Sequence, residues 1–177
     1  MMTEVEVDSL PVSVITGFLG SGKTTLLNRL IQHPGMDKTA VVINEFGEIG
    51  LDNLLIESAI ENTLVLENGC ICCSIRGDLV DTIIDLFIKQ QNDLIPKFSR
   101  ILIETTGLAQ PGPIAETLTA EKLLADRCSL KNIVAIVDDA VIRDNDTINL
   151  EKLEVLCGTE HQPPKASMTL NVDGEQK

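Results

Sequence analysis

Residues Gly17 to Thr24 read G-F-L-G-S-G-K-T and satisfy G-x-x-x-x-G-K-[ST] at every fixed position. This phosphate-binding loop constrains the fold more than anything else in the chain, because it works only between a strand and a helix. Both flanks are present. Val12–Thr16 is a short β-rich apolar run, and Leu26, Leu27, Leu30 and Ile31 recur at helical spacing just after the loop. Gly17, Gly20 and Gly22 permit backbone approaches that a Cβ would block. Loop N–H groups, including those around Ser21 and Thr25, and the helix N-terminus then face an anion. Lys23 reaches the β- and γ-phosphates, and the Thr24 hydroxyl holds Mg²⁺.

The rest of the chain supplies the alternation such a fold needs. Strands are predicted at Val12–Thr16, Ala40–Asn44, Thr63–Glu67, Arg100–Glu104 and Asn132–Val137, mostly as continuous apolar runs suited to a parallel sheet covered on both faces. Helices are predicted at Gly22–Gln32, Leu79–Gln90 and Pro113–Leu124, the last opened by proline. The expected class is α/β, a P-loop NTPase with a mostly parallel sheet flanked by helices. Ligands of such a sheet lie at the carboxyl ends of its strands.

Composition narrows the partners. The net charge of −13 over 177 residues disfavours nucleic acid and anionic membranes. No apolar run is long enough to span a bilayer, and the acidic N-terminus has no signal-peptide pattern. The expected location is cytoplasmic. With neither Trp nor Tyr, base-stacking platforms are not expected. Three of the five cysteines fall within four positions, which does not read as a disulfide framework.

Three further segments carry chemistry. Ile101–Gly107 is an apolar strand that ends in Glu104 and passes into Thr105-Thr106-Gly107. This is where a P-loop protein places its Mg²⁺-shell carboxylate, with Gly107 near the γ-phosphate. Val41–Asp52 runs from a strand into a loop bearing Glu45, Glu48 and Asp52. These carboxylates hold Mg²⁺, orient water or ligate a second metal, or else form a solvated acidic loop; both readings stay open. Glu48 is carried as the candidate catalytic carboxylate beside Lys23 and Glu104. Finally, Glu67–Cys73 reads E-N-G-C-I-C-C. It is taken as a turn leading toward a helix, whose N-terminus would lower the thiol pKa and favour metal-binding thiolates. Three thiols do not complete a tetrahedral structural site, so an open or shared site is expected. The alternative is inert buried cysteines. His33 is assigned a helix-terminal role and His161 a solvated one.

Together, G-F-L-G-S-G-K-T-T-L-L, V-I-N-E-F-G-E-I-G-L-D, E-N-G-C-I-C-C-S-I-R-G-D-L and I-L-I-E-T-T-G-L-A-Q-P resemble the CobW-type family of metal-insertion GTPases. The resemblance covers Pro11 to Asp139. It implies that Gly17–Thr24 binds GTP and magnesium, and that Glu104 is the Walker-B-like acid. It also implies that Cys70, Cys72 and Cys73 hold zinc or cobalt, with Glu45 a further ligand. A client apo-metalloprotein is the implied partner, and a homodimer is left open. The sequence shows no [NT]-K-x-D guanine-reading element. The expected organisation is therefore a GTPase domain at 1–139 and a divergent or disordered tail at 140–177. On this expectation the family's second domain is absent and the C-terminal sheet edge is left open. Two rival functions remain at this point: a small-molecule phosphotransferase, and a truncated, non-catalytic metal-binding remnant.

Overall fold

In the computed structural model, residues 9–43, 56–60, 63–66, 69–75, 78–105, 111–136, 143–144 and 147–148 are described. Seven strands form one sheet: β1 (Leu10–Gly17), β2 (Thr39–Ile43), β3 (Ile56–Ile60), β4 (Thr63–Leu66), β5 (Ile71–Ser74), β6 (Arg100–Glu104) and β7 (Cys128–Ile136). Their order is β3-β4-β5-β2-β6-β1-β7. The five from β5 to β7 are parallel, while β4 is antiparallel to both of its neighbours. A separate two-strand ladder joins Arg143–Asp144 to Thr147–Ile148. The sheet is thus mostly parallel, as expected, with an antiparallel extension at one edge.

The helices are α1 (Lys23–Ile31), α2 (Leu79–Gln91), α3 (Pro111–Ala120) and α4 (Lys122–Ala125). α2 starts where Asp78 caps it, its side chain accepting from the Val80 N–H at 2.7 Å. The single helix expected over Pro113–Leu124 begins at Pro111 and breaks at Glu121, whose ψ of 111° is extended. α1 ends at Ile31 with Gln32 as its C-cap; His33, expected to end the helix, instead caps the short 3₁₀ turn that follows, its Nδ1 accepting from the Gly35 N–H at 3.0 Å.

The strands alternate faces with period two, and this divides the core. Val12, Val14, Ala40, Val42, Ile101 and Ile103 pack with Ile83, Leu86 and Phe87 of α2 and Leu118 of α3. Ile15, Val41, Ile43 and Leu102 turn the other way, onto Leu27 and Ile31 of α1. Both faces of the central strands are covered, which is why these runs are continuously apolar instead of alternating with polar residues.

Candidate functional site

The loop between β1 and α1 is built on positive-φ glycines. Gly17, Gly20 and Gly22 have φ of 147°, 81° and 90°, values that a Cβ disfavours. At Gly17 the demand is also steric, since a Cβ there would collide with the Ile136 carbonyl oxygen on β7. Gly22 is the residue before α1 and offers no side-chain cap, so the helix N-terminus is left to an external acceptor. Lys23 is 94 % buried, and its Nζ donates to the Gly17 and Phe18 carbonyls at 2.9 Å each. That pins the ammonium across the loop. Among the described residues the Ser21 hydroxyl oxygen is buried with no hydrogen-bond partner. Such an orphan in a glycine cradle fits a phosphate ligand. Thr24 is half-buried in the first turn of α1, and Thr25 is exposed beside it.

Glu104 ends β6, buried, and lies level with Ile15 of β1. Its strand is therefore next to the strand that feeds the loop. Two residues that the motifs do not mark tie these strands together. The Thr105 hydroxyl donates to Thr16 Oγ1 at 3.0 Å, and the Thr105 N–H donates to the Ile15 carbonyl at 3.0 Å. Their only signal in the sequence is a threonine at or just past the end of two apolar runs. Glu45, Glu48, Asp52 and Gly107 lie outside the described residues.

The thiol segment is not where the sequence reading puts it. It does not lead from a turn into a helix. Leu66 and Cys70 close a hairpin around Gly69, whose φ is 78°, and Cys72 and Cys73 then run inside β5. Cys70, Cys72 and Cys73 are all buried. Cys72 is pushed well above the ordinary thiol value, first by the hydrogen bond it shares with Cys70 and then by burial. Burial pushes Cys73 up to about 12, and the nearby Lys89 ammonium only partly offsets this. The reason is topological: the chain re-enters the sheet before reaching α2, so the thiols meet apolar packing in place of helix N–H groups. Among the described residues no group of three or more His, Cys, Asp and Glu comes together as a metal-binding set. Three strand spacings separate β5 from β1, about 14 Å at ~4.8 Å each.

A glycine cradle, a pinned lysine and a buried carboxylate on the adjacent strand agree with what comparison with known proteins finds. The model of the CobW/HypB/UreG nucleotide-binding domain matches residues 11–162. The chain belongs to this family. Its members are P-loop GTPases. The Escherichia coli (strain K12) protein named zinc chaperone YjiA is 42 % identical over 129 residues, covering 73 % of this chain and 40 % of that relative. Zinc-regulated GTPase metalloprotein activator 1 of Schizosaccharomyces pombe is 34 % identical over 151 residues, covering 80 % of this chain and 36 % of its own. The crystal structure of Zn(II)-bound YjiA GTPase from E. coli superimposes with a TM-score of 0.62 at 37 % identity, over 72 % of this chain and 40 % of that one. The chain thus spans well under half the length of the curated relatives it matches. Among the described residues no helix is long and apolar enough to cross a membrane.

Proposed function

We propose that this chain binds GTP on the loop of residues 17–25 and couples that binding to a transition metal held by the C-x-C-C motif, for delivery to a client apo-metalloprotein. The observation that carries the nucleotide half is the pinned Lys23 within three left-handed glycines. The ammonium is already inside the loop, so anion binding requires no large reorganisation there. Phosphate oxygens are stronger acceptors than the amide carbonyls of Gly17 and Phe18, because the bond to them is charge-assisted at both ends. The Ser21 hydroxyl gains a partner in the same event.

The residues present also fit magnesium. Thr24 in the first turn of α1 and Glu104 at the end of β6 are the oxygen donors such an ion takes. When bound, magnesium neutralises charge on the β- and γ-phosphates. Lys23 does the same from the loop side. Glu48 is the carboxylate proposed to orient the attacking water, whose oxygen bonds to the γ-phosphorus as the bond to the bridging oxygen breaks. Gly107 gives the γ-phosphate backbone access.

For the metal half, support comes from chemistry and kinship. Soft thiolates favour zinc or cobalt over magnesium, and the relatives above carry names of zinc chaperones and zinc-regulated activators. Cys70, Cys72 and Cys73 are the proposed sulfur donors, with Glu45 as an oxygen donor. The metal is cargo here, bound and handed on. The cytoplasm is the proposed setting, since free thiols persist there.

Titration of the chain with Mg²⁺-GTP tests the nucleotide half. Lys23→Ala is expected to weaken binding more than roughly a hundredfold, about 2.7 kcal/mol, with the far-UV circular dichroism unchanged. Equal affinity in parent and variant would remove the loop from the account.

A further inference from the structure

β1 and β6 run side by side, and on one face their level residues form apolar pairs, Val12 with Ile101 and Val14 with Ile103. Two residues further along each strand, the same face carries Thr16 and Thr105. Both are almost fully buried, and the Thr105 hydroxyl donates to Thr16 Oγ1 at 3.0 Å. Valine has nearly the same shape and would continue the apolar series. A buried hydroxyl gives up its water, and hydrogen bonding inside the protein does little more than offset that loss. Exchanging both partners for apolar groups of the same shape is therefore nearly neutral for stability. Stability alone does not account for hydroxyls at this place.

Their position does account for them. Each threonine is one residue from a group of the proposed nucleotide site. Thr16 precedes Gly17, whose carbonyl accepts from Lys23 Nζ at 2.9 Å. Thr105 follows Glu104, which alternation places on the opposite face with Leu102 and Ile15, the face that α1 covers. α1 also carries Thr24. The last level pair of the two strands is Ile15 and Glu104. Beyond that pair Thr105 is held to β1 by its N–H, on the Ile15 carbonyl at 3.0 Å, and by its hydroxyl, on Thr16. The hydroxyl bond is a side-chain rung between the root of the glycine loop and the residue after the carboxylate.

Resting on the reading that this loop binds Mg²⁺-GTP, we infer that Thr16 and Thr105 are positioning residues for the magnesium site, their hydroxyl bond setting where the Glu104 carboxylate stands relative to the loop and to Thr24. They act through Gly17 and Glu104. A small ion that demands near-octahedral geometry gains most from oxygen donors fixed in advance. Loss of the rung frees the end of β6 and leaves the glycine cradle and Lys23 in place. It therefore weakens the response to magnesium more than it weakens phosphate binding.

The test on the full chain pairs the affinity of a non-hydrolysable GTP analogue, in EDTA and over a Mg²⁺ series, with the midpoint of chemical denaturation without nucleotide. Thr105→Val is expected to keep the EDTA affinity within about threefold and to need on the order of tenfold more Mg²⁺ for half of the magnesium effect. Thr105→Ser keeps the hydroxyl and is expected to restore the parent's Mg²⁺ response. When Thr16→Val is combined with Thr105→Val, the denaturation midpoint is expected to return close to the parent's while the Mg²⁺ response stays weakened, which separates positioning from packing. A parental Mg²⁺ response in Thr105→Val overturns the inference, as does its recovery together with stability in the double variant. A serine variant that behaves like the valine one overturns it too. So does an EDTA affinity that falls as far as the Mg²⁺ response, because the effect then lies in the loop itself. No analogue binding by the parent at any Mg²⁺ concentration overturns the nucleotide reading, and this inference with it.

Discussion

The phosphate loop and the thiol strand are both set by short, distinctive motifs, yet the fold treats them in opposite ways. The loop leaves the sheet at the carboxyl end of β1, and its working groups stay gathered around one hollow: three left-handed glycines, Ser21, Lys23 and the start of α1. The cysteines are drawn into β5, and the pleat sends Cys72 and Cys73 to different faces. A motif in a loop keeps the proximity that its sequence spacing suggests. A motif inside a strand loses it every second residue. The glycine loop is accordingly preformed for the anion proposed above, whereas gathering all three sulfurs on one face of the sheet would require β5 to change.

The sharpest contrast between the two regions lies in their glycines. Gly17→Ala places a Cβ against the Ile136 carbonyl oxygen and 2.8 Å from Ser21 Oγ. A fixed backbone neighbour cannot move aside, so a stability loss of about 3 kcal/mol or more is expected by chemical denaturation. Gly69→Ala, in the hairpin before the thiols, also has a left-handed φ, but its nearest neighbour is the Lys38 nitrogen at 4.0 Å. Only the backbone strain remains, on the order of 1 kcal/mol. Equal losses would mean that the loop is no more tightly built than the hairpin.

A smaller effect separates the regions by pH. Burial raises Cys73 to about 12 and Cys128 to about 11, so both stay protonated in the folded chain after their unfolded counterparts ionise near pH 9. Each raised thiol gives stability that is complete below pH 9 and is lost as pH climbs toward 11 to 12. The limiting slope is about 1.4 kcal/mol per pH unit per thiol. Denaturation midpoints at pH 8, 9 and 10 are expected to fall progressively, and Cys73→Ala to flatten the fall. A profile that Cys73→Ala leaves unchanged would place that thiol in a wetter setting than β5 provides.

Much of the fold was legible in the sequence because its signals are local. β6 falls at Arg100–Glu104 as expected, and β1 and β2 differ from expectation by a residue or two at their ends. Glu104 could be placed because an apolar run ending in a carboxylate keeps that residue at the strand's end. The hairpin was the failure. Asn68-Gly69 between β-rich runs is a strong hairpin signal, yet as a turn alone it does not show that Ile71–Ser74 returns as a strand. Ile71–Ser74 is four residues long, carries two cysteines and lacks the alternation or length that marks a strand. The sequence reading misses both β3 (Ile56–Ile60) and β5; missing β5 puts the thiols at a helix N-terminus instead of in the core and reverses the expected direction of the Cys72 and Cys73 pKa shifts. Thr16, Thr105 and Lys89 were not legible for a different reason. Their partners lie 26 to 89 residues away in the sequence.

The central claim is that nucleotide and metal sites communicate, and zinc affinity measured with and without a magnesium-bound, non-hydrolysable GTP analogue tests it most directly. If nucleotide binding draws the thiol strand into a fuller donor set, zinc should bind at least tenfold tighter with the analogue present, about 1.4 kcal/mol of coupling. Linkage then requires zinc to tighten the analogue by the same factor. Zinc affinities that agree within error in the two conditions would contradict the account, leaving two independent sites on one sheet.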